Sequence, residues 1–106
     1  MTDRELLELA AKAVGITLEW DGNPSEWMPM YYEGKTYHAW NPLDDDGDAL
    51  RLAVKLRLDI VISDDLKHTV ARKGFLQMCV EAWGDDENTA TRRAIVRVAA
   101  RIGRAM

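Results

Sequence analysis

The sequence predicts an α+β fold in which an antiparallel sheet of about five or six strands packs with three helices as an α-β-α sandwich. Three segments carry apolar residues at helical spacing. The segments between them are short and either alternate in polarity or are rich in β-branched and aromatic residues. Because 106 residues is an ordinary length for one domain, we expect residues 1–106 to form a single domain.

The first helix is predicted by a capping box. Thr2 and Glu5 are three positions apart, so each side chain can satisfy a free backbone donor in the first helical turn. Apolar residues then recur at helical spacing as far as Val14, and Gly15 is a typical stop. We therefore expect a helix from about Asp3 to Val14.

A strand and a hairpin should follow. Residues 17–20 alternate in polarity and end at the turn-forming residues 21–24. Residues 28–32 and 35–40 flank a Glu-Gly connection, which favours a β-hairpin. Pro29 places its strand at a sheet edge, or lies at the start of that strand.

A second helix is expected after the acidic run at residues 44–48, because carboxylates are stabilised at a helix N-terminus. Its inner face should contain Leu50, Ala53 and Val54, with Arg51 and Lys55 pointing outward. Residues 59–63 are apolar and β-branched, which favours a central strand.

The last third of the chain should contain two more strands and a helix. Residues 68–73 and 75–83 are separated by Gly74 and form either a hairpin or one strand bent at that glycine. A loop then leads to a helix over about Thr89 to Arg104, capped near Asn88.

The charge distribution limits the classes of partner. Net charge is −4, but residues 88–106 contain five arginines and no acid, so the remainder carries −9. An acidic body disfavours non-specific duplex binding. No apolar run is long enough to span a bilayer, and the first residues do not resemble a signal peptide. The single Cys79 fits a buried, inert thiol in a reducing compartment, so we expect a cytoplasmic protein.

The sequence contains no motif that predicts catalysis, a cofactor or a metal. The acidic run resembles a calcium loop, but an EF-hand with its glycine at Gly47 would lack two of its carboxylates. His38 and His68 have no nearby partner that would make a ligand pair or a general base. We therefore predict a non-enzymatic protein without a cofactor.

Two features are candidates for binding. Six of the eight aromatic residues, among them Trp27, occur within 21 positions; they either fill a sheet core or form a stacking platform. The last helix carries arginines at spacings of four, four and three. This stripe is either solvated or binds phosphate through bidentate hydrogen bonds of its guanidinium groups. The candidate ligand-binding residues are Trp20, Tyr32, Tyr37, His38, Trp40, Arg93 and Arg97.

Three blocks of the chain support a family resemblance. They are Thr2-Asp3-Arg4-Glu5-Leu6-Leu7-Glu8-Leu9-Ala10-Ala11-Lys12-Ala13, Trp40-Asn41-Pro42-Leu43-Asp44-Asp45-Asp46-Gly47-Asp48-Ala49-Leu50-Arg51-Leu52-Ala53-Val54-Lys55-Leu56 and Ala90-Thr91-Arg92-Arg93-Ala94-Ile95-Val96-Arg97-Val98-Ala99-Ala100. Together they resemble the small bacteriophage and prophage proteins of the phage ABA-sandwich domain family. The resemblance implies a sheet packed with helices and a phage or prophage origin, and it implies no chemistry.

Two hypotheses about function are favoured, the first in two versions. The leading one is a phage accessory protein that binds a host component without catalysis in the host bacterial cytoplasm, where it would interfere with host defence or metabolism. It would either capture a nucleotide-type small molecule or dock on a host protein. The alternative is a small nucleic-acid-binding regulator that uses the arginine-rich helix. Uncovered edge strands would also suit a homo-oligomer.

Overall fold

A computed structural model of the protein describes residues 1–22, 28–75 and 77–106. The elements in chain order are α1 (Asp3–Ala13), β1 (Glu19–Asp21), β2 (Met28–Glu33), β3 (Thr36–Ala39), α2 (Asp46–Leu56), β4 (Asp59–Ser63), β5 (His68–Lys73), β6 (Gln77–Ala82) and α3 (Glu87–Arg104). The α+β class is confirmed. Trp27 and the predicted turn residues Asn23 and Pro24 lie outside the described ranges.

The prediction of one sheet is wrong. The described strands form two antiparallel sheets of three, with orders β1-β2-β3 and β4-β5-β6. Each sheet is a simple meander of neighbouring strands. Between them α2 intervenes in the chain, and no pairing joins the two sheets within the described residues.

Each helix begins directly after a residue whose side chain caps it. The Thr2 hydroxyl accepts from the Glu5 amide at 3.1 Å, which confirms the first half of the predicted capping box. The Glu5 carboxylate accepts from the Thr2 hydroxyl and not from the Thr2 backbone amide, so the reciprocal half differs from the prediction. The Asp45 carboxylate accepts from the backbone amide of Asp48 and caps α2. The predicted cap of α3 at Asn88 is wrong by two residues, because the Asp86 carboxylate accepts from the Asn88 amide instead.

Helix α3 is the centre of the molecule. Arg93 pairs with Asp3 near the start of α1, and Gly103 contacts the backbone of Leu9 and Ala13 further along it, so α1 and α3 run parallel. On other sides α3 packs against α2 and against β5 and β6. Its fully buried positions are mostly small, and they include Ala94, Val96, Val98, Ala99 and Ala100.

The predicted inner face of α2 is only partly right. Ala53 is buried, but Leu50 is 64% and Val54 57% exposed. The buried face contains Ala49 and Leu52 instead. A helix whose apolar residues cover more than one stripe can rotate toward either, and here the face with the small alanines packs against its neighbours.

In the second sheet, residues 68–73 and 77–82 pair as a hairpin, which settles the alternative left open at Gly74. The central strand is β5, so the prediction that residues 59–63 form a central strand is wrong: β4 lies at an edge. One face of the sheet buries Thr69, Ala71 and Cys79 against α3, and the other leaves Val61 and Val80 about half exposed.

In the first sheet, Pro29 is the second residue of the central strand β2, close to a strand start and not at an edge. Its carbonyl accepts from the amide of Trp40, just beyond the end of β3, so the missing proline donor falls where the ladder ends. No helix among the described residues is long and apolar enough to span a membrane.

Candidate functional site

A cavity lies between the end of α1, the first sheet and α2. Its volume is about 540 Å³, within the range of small-molecule sites. Its walls are formed by Val14, Gly15, Ile16, Thr17, Glu19, Tyr31, Tyr32, Glu33, Trp40, Arg51, Leu52 and Lys55. The cavity therefore brings part of the aromatic segment together with two cations of α2.

The aromatic side of this cavity comes from β2 and from the residue that follows β3. Tyr31 pairs with His38 across the hairpin, and their rings stack with centroids 5.2 Å apart. Tyr32 pairs with Tyr37 on the opposite face, with centroids 4.5 Å apart. Trp40 follows β3 and is only 5% exposed, so it forms a fixed part of the cavity wall.

The charged groups lie on opposing walls. Arg51 donates to Asp48 at 2.6 Å, and this hydrogen bond raises the pKa of its guanidinium. Lys55 lies one turn later on the same helix and is exposed, and its side chain makes no hydrogen bond or ion pair with any described residue. Glu19 and Glu33 belong to the sheet side. The site therefore offers one unengaged cation beside aromatic rings, and two acids also line it.

Of the residues predicted to bind a ligand, Tyr32 and Trp40 line the cavity. Trp20 instead packs on α1, where its indole Nε1 donates to Glu8 at 3.1 Å and its ring lies 4.7 Å from the Arg4 guanidinium. Tyr37 and His38 contact the cavity residues Tyr32 and Tyr31 but are not part of its lining. The ligand-binding role of all five remains a prediction.

The predicted arginines lie elsewhere and have partners within the chain. Arg93 forms an ion pair with Asp3 at 3.1 Å, and Arg97 forms one with Glu81 on β6. Neither lines the cavity, whose arginine is Arg51. The structure thus places aromatic rings and arginine together, but with a different arginine from the predicted ones.

The neighbouring arginines of α3 are engaged in the same way. Arg92 donates to the Leu43 carbonyl and pairs with Asp46, and Arg101 donates to the Met78 carbonyl. The acidic partners of these arginines therefore come from α1, α2 and β6. This explains why the arginine stripe has no acids at i,i+4 spacing within the helix.

Sequence analysis missed Tyr31, Arg51 and Lys55. Arg51 and Lys55 are four positions apart, so their common side of α2 could be derived from helical spacing. That this side meets the first sheet depends on long-range packing, which spacing does not contain.

The acidic run at residues 44–48 is occupied by structural contacts. Asp45 caps α2, Asp46 pairs with Arg92, and Asp48 accepts from both Arg51 and the Asn41 amide. Across the described ranges, no group of three or more His, Cys, Asp or Glu residues is arranged to hold a metal ion.

Comparisons with known proteins add no relative. The chain matches no protein-family model, no curated protein and no solved structure.

Proposed function

We propose that this protein acts by non-catalytic binding, and that the cavity between α1, the first sheet and α2 holds a small molecule with a flat ring and an anionic group, as in a nucleotide. The observation that supports this most is the joint presence of Tyr31, Trp40 and the unengaged Lys55 in one cavity of about 540 Å³. Aromatic faces suit a planar ring, and an ammonium suits a phosphate.

The distribution of charge favours a small ligand over a polymer. Glu19 and Glu33 also line the cavity and would repel an extended phosphate backbone. Four of the five arginines in α3 have partners within the chain, so they offer little to a nucleic acid. We therefore favour the small-molecule hypothesis over the regulator that would use α3.

In this role the protein binds a host metabolite and thereby keeps it from its normal receptor. This agrees with the accessory role that the phage resemblance implies. Docking on a host protein is a second candidate, because Tyr37, which does not line the cavity, is 36% exposed and contacts Tyr32, which is 61% exposed at the cavity rim.

Calorimetry against a panel of mononucleotides and cyclic nucleotides tests the proposal. Lys55→Gln should weaken binding by about two- to fivefold, the range expected of an exposed charge contact. Lys67→Gln is the matched control, because Lys67 is also an exposed lysine but lies in the turn between β4 and β5.

Tyr31→Ala should weaken binding more than Lys55→Gln does, because a lost stacking contact costs about 1–3 kcal/mol. Circular dichroism would verify that this variant keeps its fold. Absence of heat with every nucleotide, or equal losses in the Lys55 and Lys67 variants, would refute the proposed site. Co-purification of a host protein that is lost in Tyr37→Ala but kept in Tyr31→Ala would favour docking instead.

A further inference from the structure

The edge strand β4 is unusually apolar for its position. Val61 is 49% and Ile62 59% exposed, although edge strands usually carry charges or are covered. α3 packs against β5 and β6, so β4 extends past the helix that covers the rest of the sheet. No backbone pairing covers the free side of β4 in the described parts of the chain.

An apolar groove adjoins this edge. Its volume is about 440 Å³, and its lining includes Leu50 of α2, Ile60 and Ile62 of β4, and Ile95 of α3. Leu50 and Ile62 are among the most exposed large apolar side chains. The groove and the strand edge therefore form one continuous apolar surface.

We propose that β4 pairs antiparallel with β4 of a second copy of this chain, joining two three-stranded sheets into one of six. The strand is nearly self-complementary about Val61: in this register Val61 lies opposite itself, and Ile60 lies opposite Ile62 of the copy. Directly opposite residues share a face of the sheet, so the two grooves would meet along the symmetry axis.

Charge complementarity selects this partner and this direction. Arg57 precedes β4, and Asp65 follows it. Both are exposed, and neither side chain has a hydrogen bond or ion pair with another described residue. Arg57 is the left-handed C-cap of α2 and Asp65 lies in the turn after β4, so both are just beyond the strand ends. Antiparallel pairing about Val61 brings the end that carries Arg57 beside the end of the copy that carries Asp65, twice per dimer, whereas parallel pairing would bring like charges together.

The other sheet edges fit a second copy less well. On β6, the Arg101 side chain already donates to the Met78 carbonyl. In the first sheet, β1 and β3 have only three and four residues, and short edges are a common protection against pairing. The proposed dimer does not depend on ligand binding in the first cavity.

Disulfide trapping tests the register. In a Cys79→Ala background, Val61→Cys places two thiols opposite each other, with Cα atoms about 4.5–5.5 Å apart, within the range of a disulfide. Val80→Cys is the control, since Val80 is on the same face of the sheet and equally exposed, at 48%, but on β6. Under mild oxidation we expect a covalent dimer of the Val61 variant alone, on non-reducing electrophoresis.

Sedimentation equilibrium of the unmodified chain should show a dimer, and a charge exchange should show how it is held. Arg57→Glu and Asp65→Lys should each raise the dimer dissociation constant about fivefold. The double variant should restore it, a rescue that general damage to the fold cannot produce. A monomer at the highest accessible concentration, a dimer that cross-links through residue 80 or through neither cysteine, or a double variant weaker than both singles would each overturn the proposal.

Discussion

The contact between Gly103 and α1 leads to the sharpest stability prediction. A Cβ atom at residue 103 would lie 1.9 Å from the carbonyl oxygen of Leu9 and 2.8 Å from its carbon. Both are backbone atoms, so no flexible side chain can move aside. Gly103→Ala therefore requires α1 and α3 to separate by about 1 Å, or the end of α3 to shift.

The size of the effect follows from two opposing terms. Overpacking in a well-packed core costs about 1–3 kcal/mol. Replacing glycine by alanine within a helix returns up to about 1 kcal/mol through helix propensity, and less near the helix end. Since the obstruction is backbone on backbone, the cost should lie at the upper end. We expect Gly103→Ala to lower the free energy of unfolding by about 2 kcal/mol and the Tm by roughly 10 °C.

Gly47→Ala is the matched control. A Cβ at residue 47 would lie 3.2 to 3.3 Å from the side-chain ends of Arg51 and Asp45, both exposed. The Arg51 guanidinium can move, and Asp45 Oδ2, although it caps α2, needs to give by only a few tenths of an ångström. The helix-propensity gain should therefore leave this variant about as stable as the parent. Urea unfolding followed by circular dichroism measures both variants. Equal stability of Gly103→Ala and the parent chain, or equal losses in both variants, would refute the close approach of α1 and α3.

Two further predictions concern the ends of the helices. Arg92→Lys should lower the free energy of unfolding by about 1–2 kcal/mol, since lysine cannot reproduce three separate hydrogen bonds from one guanidinium. Arg104→Lys, at an exposed site, should leave the free energy of unfolding unchanged. Equal urea midpoints for the two variants would contradict this prediction. Hydrogen bonds from Thr89 and from the Asn88 amide lower the pKa of the Asp86 carboxyl below its ordinary 3.8. A carboxyl whose pKa is lower in the folded state than in the unfolded state stabilises the fold at pH values above its unfolded-state pKa. This stabilisation is lost as the pH falls through the folded-state pKa. The stability gap between the parent and Asp86→Asn should therefore shrink in acid, and a gap independent of pH in urea titrations would contradict this.

Local chemistry allowed most of the helices to be predicted. The Thr2 cap of α1 and the acidic start of α2 involve residues within one turn, so their geometry is contained in a few neighbouring positions. The start of α3 was misplaced because both Asp86 and Asn88 are good capping residues. The charged acceptor at Asp86 reaches the Asn88 amide and the Thr89 hydroxyl, which a cap at Asn88 could not do.

The candidate site was predicted less well because it depends on contacts between distant elements. Aromatic density pointed to the hairpin, and two of the predicted residues, Tyr32 and Trp40, line the cavity. The arginine stripe was visible as a helical period, but its partners Asp3 and Glu81 come from elements far along the chain. Periodicity identifies which residues share a face, not what that face meets.

Strand β4, which was predicted to be central but lies at an edge, also carries an exposed apolar surface. Residues 59–63 have the composition of a central strand, in which side chains such as Val61 and Ile62 are flanked by neighbouring strands on both sides. In the single chain β4 is an edge, and both side chains remain about half exposed. In the proposed dimer β4 would have neighbours on both sides, and its composition would then fit its position. The disagreement between composition and position is therefore an argument that the folded unit includes a second copy.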